Sequence, residues 1–122
     1  MKLLLGVGGS EDSLRALERT VERVAETGDD LTVALLENPT TDTPQSEIER
    51  QVREALDAAG VDATVEHLDG DPGSRLVEVA ENESYDRIVL GGGQRSPMGK
   101  IKIGSIAEFV LLNSHVSVTL VR

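Results

Sequence analysis

The side chains and glycines best placed to do chemistry fall in one run, Gly91 to Ser105, GGGQRSPMGKIKIGS. The chain carries 22 Asp and Glu against 12 Lys and Arg, yet no acid lies between Asp86 and Glu108. A stretch of that length would hold about four at the chain's average frequency; Arg87, Arg95, Lys100 and Lys102 occupy it instead. The run delivers the chain at Gly104 and Ser105 into a predicted helix, whose unpaired N–H groups and positive dipole end favour an anion. The chemistry this pattern points to is recognition of a negative group by backbone amides and a few cations. A crossover that tolerates few charges, with glycines making turns, produces the same pattern without a ligand, and Ser105 alone reads equally well as an N-cap.

Other candidate sites are weaker. GVGGS, with Gly6, Gly8 and Gly9, resembles the start of a dinucleotide fingerprint, but its third glycine would fall at Glu11. MGKI suggests a phosphate-binding loop of the Walker type, but Gln94 stands five positions before Gly99 and Ile101 replaces the required Ser or Thr. His67 and His115 are far apart and sit in no nucleophile or metal pattern. Asp69 in DGDP invites comparison with a phosphoacceptor, which would need an acidic pair after the first strand where Gly8 and Gly9 stand; a turn and helix cap is the plainer reading. With no cysteine, thiolate metal sites, disulfides and cysteine nucleophiles are excluded.

The elements that must position these residues follow from periodicity. KLLLGV at 2–7 and LTVALL at 31–36 are continuous apolar runs, the pattern of strands buried on both faces of a parallel sheet. Between them Ser10 caps a helix with Leu14, Leu17, Val21 and Val24 inward. Thr43 and Pro44 suit the N-cap and first turn of a second helix, with Ile48, Val52, Leu56 and Ala59 inward and Gly60 at its end. DATVEHL is a more polar strand, nearer an edge. Asp71 and Pro72 open a third helix facing inward with Leu76, Val79 and Ala80. DRIVLG is a fourth strand, the basic run is a loop, Ser105 and Glu108 read as a capping box for a last helix, and VSVTLV closes the sheet. The alternation predicts one α/β domain over 1–122, a doubly wound parallel sheet with helices on both faces. Ligands bind such sheets beyond the strand C-terminal ends where the winding reverses, so the loops after strands one and four are the first places to look.

A net charge of −10 argues against nucleic-acid binding. The opening apolar stretch is too short to span a bilayer, and with no cysteine the expected setting is the cytoplasm. Spread acids, with nine arginines against three lysines, suggest a surface adapted to high salt, of haloarchaeal type.

Strand, Gly91, two residues, Gln94, nine residues, Gly104–Ser105, helix and terminal strand together resemble the nucleotide-binding signature of the universal stress protein family. GGSEDSLRAL, GDPGSRLVEVA and YDRIVLGG are similar to the family's opening turn and helix, third βα junction and fourth strand. The resemblance implies an adenine nucleotide alpha hydrolase-like five-stranded sheet of order 3-2-1-4-5. It also implies a homodimer through the last strand, carried here by Val118, Leu120 and Val121. In one branch it implies ATP or another adenine nucleotide, with Mg2+ or Mn2+, held around Gly8, Ser10, Leu36, Leu90, Gly91, Gln94, Arg95, Gly104, Ser105 and Ile106. Leu36 backbone would meet the adenine, and Gly91, Gly104 and Ser105 the phosphates and ribose.

Two departures matter. Gln94 stands where the motif has its second glycine, and Gly8 where the family places an acid near the nucleotide. The implied function is a stress-related binding or signalling module with an unidentified protein partner. It is not an enzyme, or at most a very slow ATPase, because no general base or metal-binding carboxylate is visible near the loop. The alternative is a dimeric interaction protein without nucleotide. A flavoprotein-like subunit or hydrolase of the same architecture is weaker still, lacking a recognisable nucleophile, base or redox group.

Overall fold

In the computed structural model the apolar runs form the middle of one parallel sheet. The structure describes residues 1–37, 43–92, 94–95 and 101–122, with the backbone alone at 94, 95, 101 and 102. The elements in chain order are β1 (Lys2–Val7), α1 (Glu11–Thr27), β2 (Asp30–Leu36), α2 (Gln45–Ala59), β3 (Thr64–Leu68) and α3 (Pro72–Asn82). They continue with β4 (Arg87–Gly91), β5 (Gln94–Arg95), β6 (Ile101–Lys102), α4 (Ser105–Asn113) and β7 (Ser117–Val121). The five long strands run in the order β3-β2-β1-β4-β7, all parallel, which is the expected 3-2-1-4-5 arrangement. β1, β2 and β4 are buried nearly throughout, while β3 and β7 are half-exposed edges, so the polar content of DATVEHL did report an edge.

Alternation along each strand divides the core in two. Leu3, Leu5, Val7, Val33 and Leu35 face one way and pack on α1 and α2; Leu4, Ala34, Leu36, Ile88 and Leu90 face the other and pack against α3 and α4. Full burial of each large aliphatic contributes about 1.5–3 kcal/mol, so the central strands carry much of the stability. Tyr85 joins the second cluster with its hydroxyl donating to Thr32 Oγ1 at 2.8 Å, which satisfies the one polar group its burial would otherwise orphan.

Three helix starts and faces differ from expectation in detail. The N-cap of α2 is Pro44, not Thr43: its carbonyl accepts from Glu47 and Ile48 N–H at 3.0 and 3.1 Å, and its backbone at ψ 145 leaves the helix to begin at Gln45. Ala59 is exposed, because the helix has turned away from the sheet by its last turn. The N-cap of α4 is Gly104, whose carbonyl accepts from Glu108 N–H at 2.9 Å, so Ser105 is the first helical residue and the Ser105–Glu108 capping box does not form. Leu14 is only half-buried; Ala16 and Thr20 fill the α1 stripe instead. As expected, Ser10 and Asp71 cap α1 and α3 and Gly60 ends α2; Gly28 ends α1, and both glycines are in the left-handed conformation.

Candidate functional site

β1 pairs on one side with β2 and on the other with β4, and at this switch point the C-terminal ends of β1 and β4 diverge into separate connections. A cleft of about 450 Å³ opens there. Gly6 and Gly8 line it from the end of β1, Leu36 from β2, and Leu90 and Gly91 from β4. Three helices point their N-termini into it: α1 through Ser10, Asp12 and Ser13, α3 through Asp71, Pro72 and Gly73, and α4 through Gly104 to Ala107. Phe109 completes the wall. Of the ten residues the sequence singles out, Gly8, Ser10, Leu36, Leu90, Gly91, Gly104, Ser105 and Ile106 are brought together here. Gln94 and Arg95 are described by backbone alone, and Lys100 lies outside the described residues.

The three helix starts are not equivalent. Ser10 Oγ accepts from Ser13 N–H at 3.2 Å, and Asp71 Oδ2 accepts from Ser74 N–H at 3.0 Å, so α1 and α3 have part of their donor set engaged. At α4 no side chain caps the helix, which leaves its first-turn amides facing the cleft. Gly104 itself, at φ −65 and ψ 159, has a backbone any residue adopts, and among the described residues no heavy atom lies within 4 Å of where a Cβ would project. The packing of the described residues does not call for glycine at this position.

Gly91 is the opposite case. A Cβ there would lie 2.1 Å from the Asp12 carbonyl oxygen and 2.8 Å from Ser13 nitrogen, so glycine is required for the start of α1 to press against the end of β4. Gly73 permits a similar approach, its missing Cβ leaving room for the Phe109 ring, from which it would stand 2.8 Å. This contact sets the N-terminus of α4 beside that of α3. Gly9 supplies the positive φ of 85 that turns β1 into α1.

The basic run is not a plain loop. Gln94 and Arg95 pair antiparallel with Lys102 and Ile101 as a two-residue ribbon, which returns the chain from β4 to the start of α4. Gln94 therefore has extended backbone, and the conformational penalty expected for a side chain at a motif glycine does not arise.

Electrostatically, the described lining is amide-rich and carries two carboxylates. Asp12 and Asp71 are carboxylates of the cleft wall that the sequence reading did not place there. Asp12 is paired with Arg15 at 3.3 Å. The amide hydrogen bond from Ser74 holds the Asp71 carboxyl below its ordinary range, so it stays ionised well into acid. Among the described residues no group of three or more His, Asp or Glu is arranged to hold a metal ion. His67 pairs on the surface with Glu49 across β3 and α2, far from the cleft, and His115 lies beyond α4.

The universal stress protein family model matches residues 1–122. The chain belongs to that family. A universal stress protein crystallised with cAMP superposes with a TM-score of 0.75 at 28% identity, over 98% of this chain and 94% of the other. Universal stress protein MJ0531 of Methanocaldococcus jannaschii is 34% identical over 73 residues, 60% of this chain and 43% of its own length. Universal stress protein MJ0577 of the same organism is 26% identical over 120 residues, 98% of this chain and 64% of its own length. The chain thus spans between 43% and 64% of these curated relatives.

Sequence reading of this family member missed Asp12, Ser13, Asp71, Gly73 and Phe109 as cleft residues. Asp71 was legible as a cap, and a cap at a βα junction of a doubly wound sheet lies at the ligand end of that sheet. Asp12 could have been reached from Ser10 in the same way, since the first turn of a helix shares its N-cap's surroundings. Phe109 could not, because its place depends on how α4 crosses α3 at Gly73.

Proposed function

We propose that the chain is a binding module in which an adenine nucleotide occupies the cleft over the ends of β1 and β4 and governs what the protein shows to a partner. The observation that carries this reading is the α4 start: uncapped amides meet a glycine that the packing of the described residues does not require, at the switch point of the sheet. Phosphate would lie against Gly104 to Ile106, and the adenine against Leu36 and Leu90. Arg95, Lys100 and Lys102 would supply the charge that the described lining lacks. The cleft volume, about 450 Å³, falls within the range of small-molecule sites. The relative crystallised with cAMP supports the ligand class. Mg2+ or Mn2+ arriving with the nucleotide would offset Asp12 and Asp71, and turnover would be slow at most.

A second reading is favoured by those same carboxylates. Asp12 and Asp71 repel phosphate, and a dimeric interaction protein without nucleotide would tolerate them. In either reading the protein would pair with a second copy along the free edge of β7, through Val118, Leu120 and Val121.

Calorimetry with ATP, AMP and cAMP on the full chain tests the choice. Saturable binding is expected, with Gly104→Asp weakening it at least tenfold (about 1.4 kcal/mol) by placing a carboxylate at the phosphate end. Asp is a preferred N-cap, so this variant keeps or slightly raises the stability of α4. Absence of heat with all three nucleotides selects the second reading.

A further inference from the structure

On the α1 face of the sheet, away from the nucleotide cleft, a second cavity of about 280 Å³ lies between α1, β1, β4 and β7. Its inner wall is apolar, formed by Leu3, Val89 and Val121. Arg19 and Arg23 reach it from α1 and Arg87 from β4.

These three arginines differ from most of the others. Arg15, Arg50, Arg53 and Arg75 are each paired with an acid. Among the described residues Arg19, Arg23 and Arg87 form no carboxylate ion pair within 4 Å, although the Asp29 carboxylate lies close enough to Arg23 to be stabilised by its charge. Arg19 and Arg23 are four apart on one helix, where like charges repel. Arg87 is half-buried, its Nη1 donating to Thr119 Oγ1 at 2.8 Å, and its Nε is the one buried side-chain polar atom without a hydrogen-bond partner among the described residues. A guanidinium placed like this destabilises the fold unless something else satisfies it. Asp29 also lines the cavity, but its carboxylate is engaged by the Met1 ammonium and the Thr27 hydroxyl, both at 2.9 Å. Three guanidinium groups thus surround one small space that holds a single carboxylate, itself already engaged.

We propose that this cavity is a second ligand site, specific for a small phosphate-class oxyanion: inorganic phosphate or a short phosphate monoester. A planar carboxylate is satisfied by a single arginine fork, whereas three guanidinium groups arriving from α1 and β4 match an ion with several acceptor oxygens. The volume of about 280 Å³ falls just below the range for drug-sized ligands, roughly 300–1,000 Å³, which suits a phosphate with a few carbons on the apolar wall. In a chain of net charge −10, anion capture needs such a local concentration of cations, because the field of the whole molecule opposes it.

The test is a titration of the full chain with inorganic phosphate and, separately, glycerol 3-phosphate at low salt, followed by NMR of the arginine Nε–H and backbone amide signals. Saturable movement of the Arg87 Nε–H and Thr119 signals is expected. The double variant Arg19→Gln/Arg23→Gln, both exposed positions on α1, should weaken it at least about tenfold, while Gly104→Asp should leave it unchanged. Tighter binding of the ester identifies an ester ligand, and equal binding identifies phosphate itself. The proposal is overturned by no saturable change or by an unaltered affinity in the double variant. It is equally overturned by changes confined to Ser105–Ala107.

Discussion

A methyl group added at Gly91 would sit 2.1 Å from the carbonyl oxygen of Asp12 and 2.4 Å from its carbon, backbone atoms of a helix that cannot yield. At Gly104 the same methyl would meet nothing within 4 Å among the described residues. Gly91→Ala should therefore cost about 3 kcal/mol, at the upper end of overpacking penalties, whereas Gly104→Ala should cost less than about 1 kcal/mol, the scale of an N-cap change. Urea unfolding of both variants checks the contrast. Equal losses would mean that the close approach of α1 to β4 is not maintained in solution. The comparison also separates two reasons for glycine that a motif treats as one: at Gly91 it makes room for the protein's own backbone, and at Gly104 it leaves the cleft open.

Among the elements, helix starts carry both the site and much of the acid sensitivity. Ser74 N–H holds Asp71 low, Arg50 does the same for Glu47, His67 chiefly for Glu49, and the Met1 ammonium for Asp29. In each case the folded pKa lies below the unfolded one. The stability these groups contribute is thus fully present above about pH 4 and drains as pH falls through the folded values. Melting temperature should fall steadily below about pH 4, and Asp71→Asn, which keeps a capping oxygen without a titrating group, should flatten part of that slope. At the alkaline end burial raises the Tyr85 pKa, so its contribution is present below about pH 10 and is lost as pH rises through the folded value. A melting temperature flat from pH 5 to about pH 2 would contradict these pairings.

For the whole molecule the open questions are surface and edge. Among the described residues β7 has no neighbour on its outer side, and α4, which packs beside it, is apolar around most of its circumference, with Leu112 76% exposed and Phe109 and Leu111 around 40%, as is Ile103 just before the helix. An unpaired edge next to such a helix suits antiparallel pairing with a second copy. Sedimentation should give a dimer mass, and Leu120→Lys should shift it to monomer; a wild-type monomer at high micromolar concentration removes the dimer. The net charge of −10 repels itself across the surface, with a Debye length of about 10 Å at 0.1 M salt. Melting temperature should therefore rise with KCl toward molar concentrations, and indifference to salt would count against a high-salt surface. Among the described residues no helix is long and apolar enough to cross a membrane.

A parallel α/β sheet, its two-sided core and most caps were determined by the sequence alone, because burial on both faces leaves continuous apolar runs and alternating helices wind them in parallel, while the strand order came with the resemblance to the family. The same runs pointed to the loops after the first and fourth strands, since in a parallel sheet the ligand end is fixed by chain direction, and eight of the ten residues named from the resemblance line one cleft there. Tertiary structure decided what depends on contact between elements distant in sequence. It alone shifted the α4 cap from Ser105 to Gly104, turned the basic run into a ribbon, and pressed Asp12 against Gly91 and Phe109 against Gly73. It also gathered Arg19, Arg23 and Arg87, 64 positions apart from Arg23 to Arg87 in the chain, around one cavity. Periodicity reports which face of an element is buried; only the packed fold determines which side chains from different elements share a space.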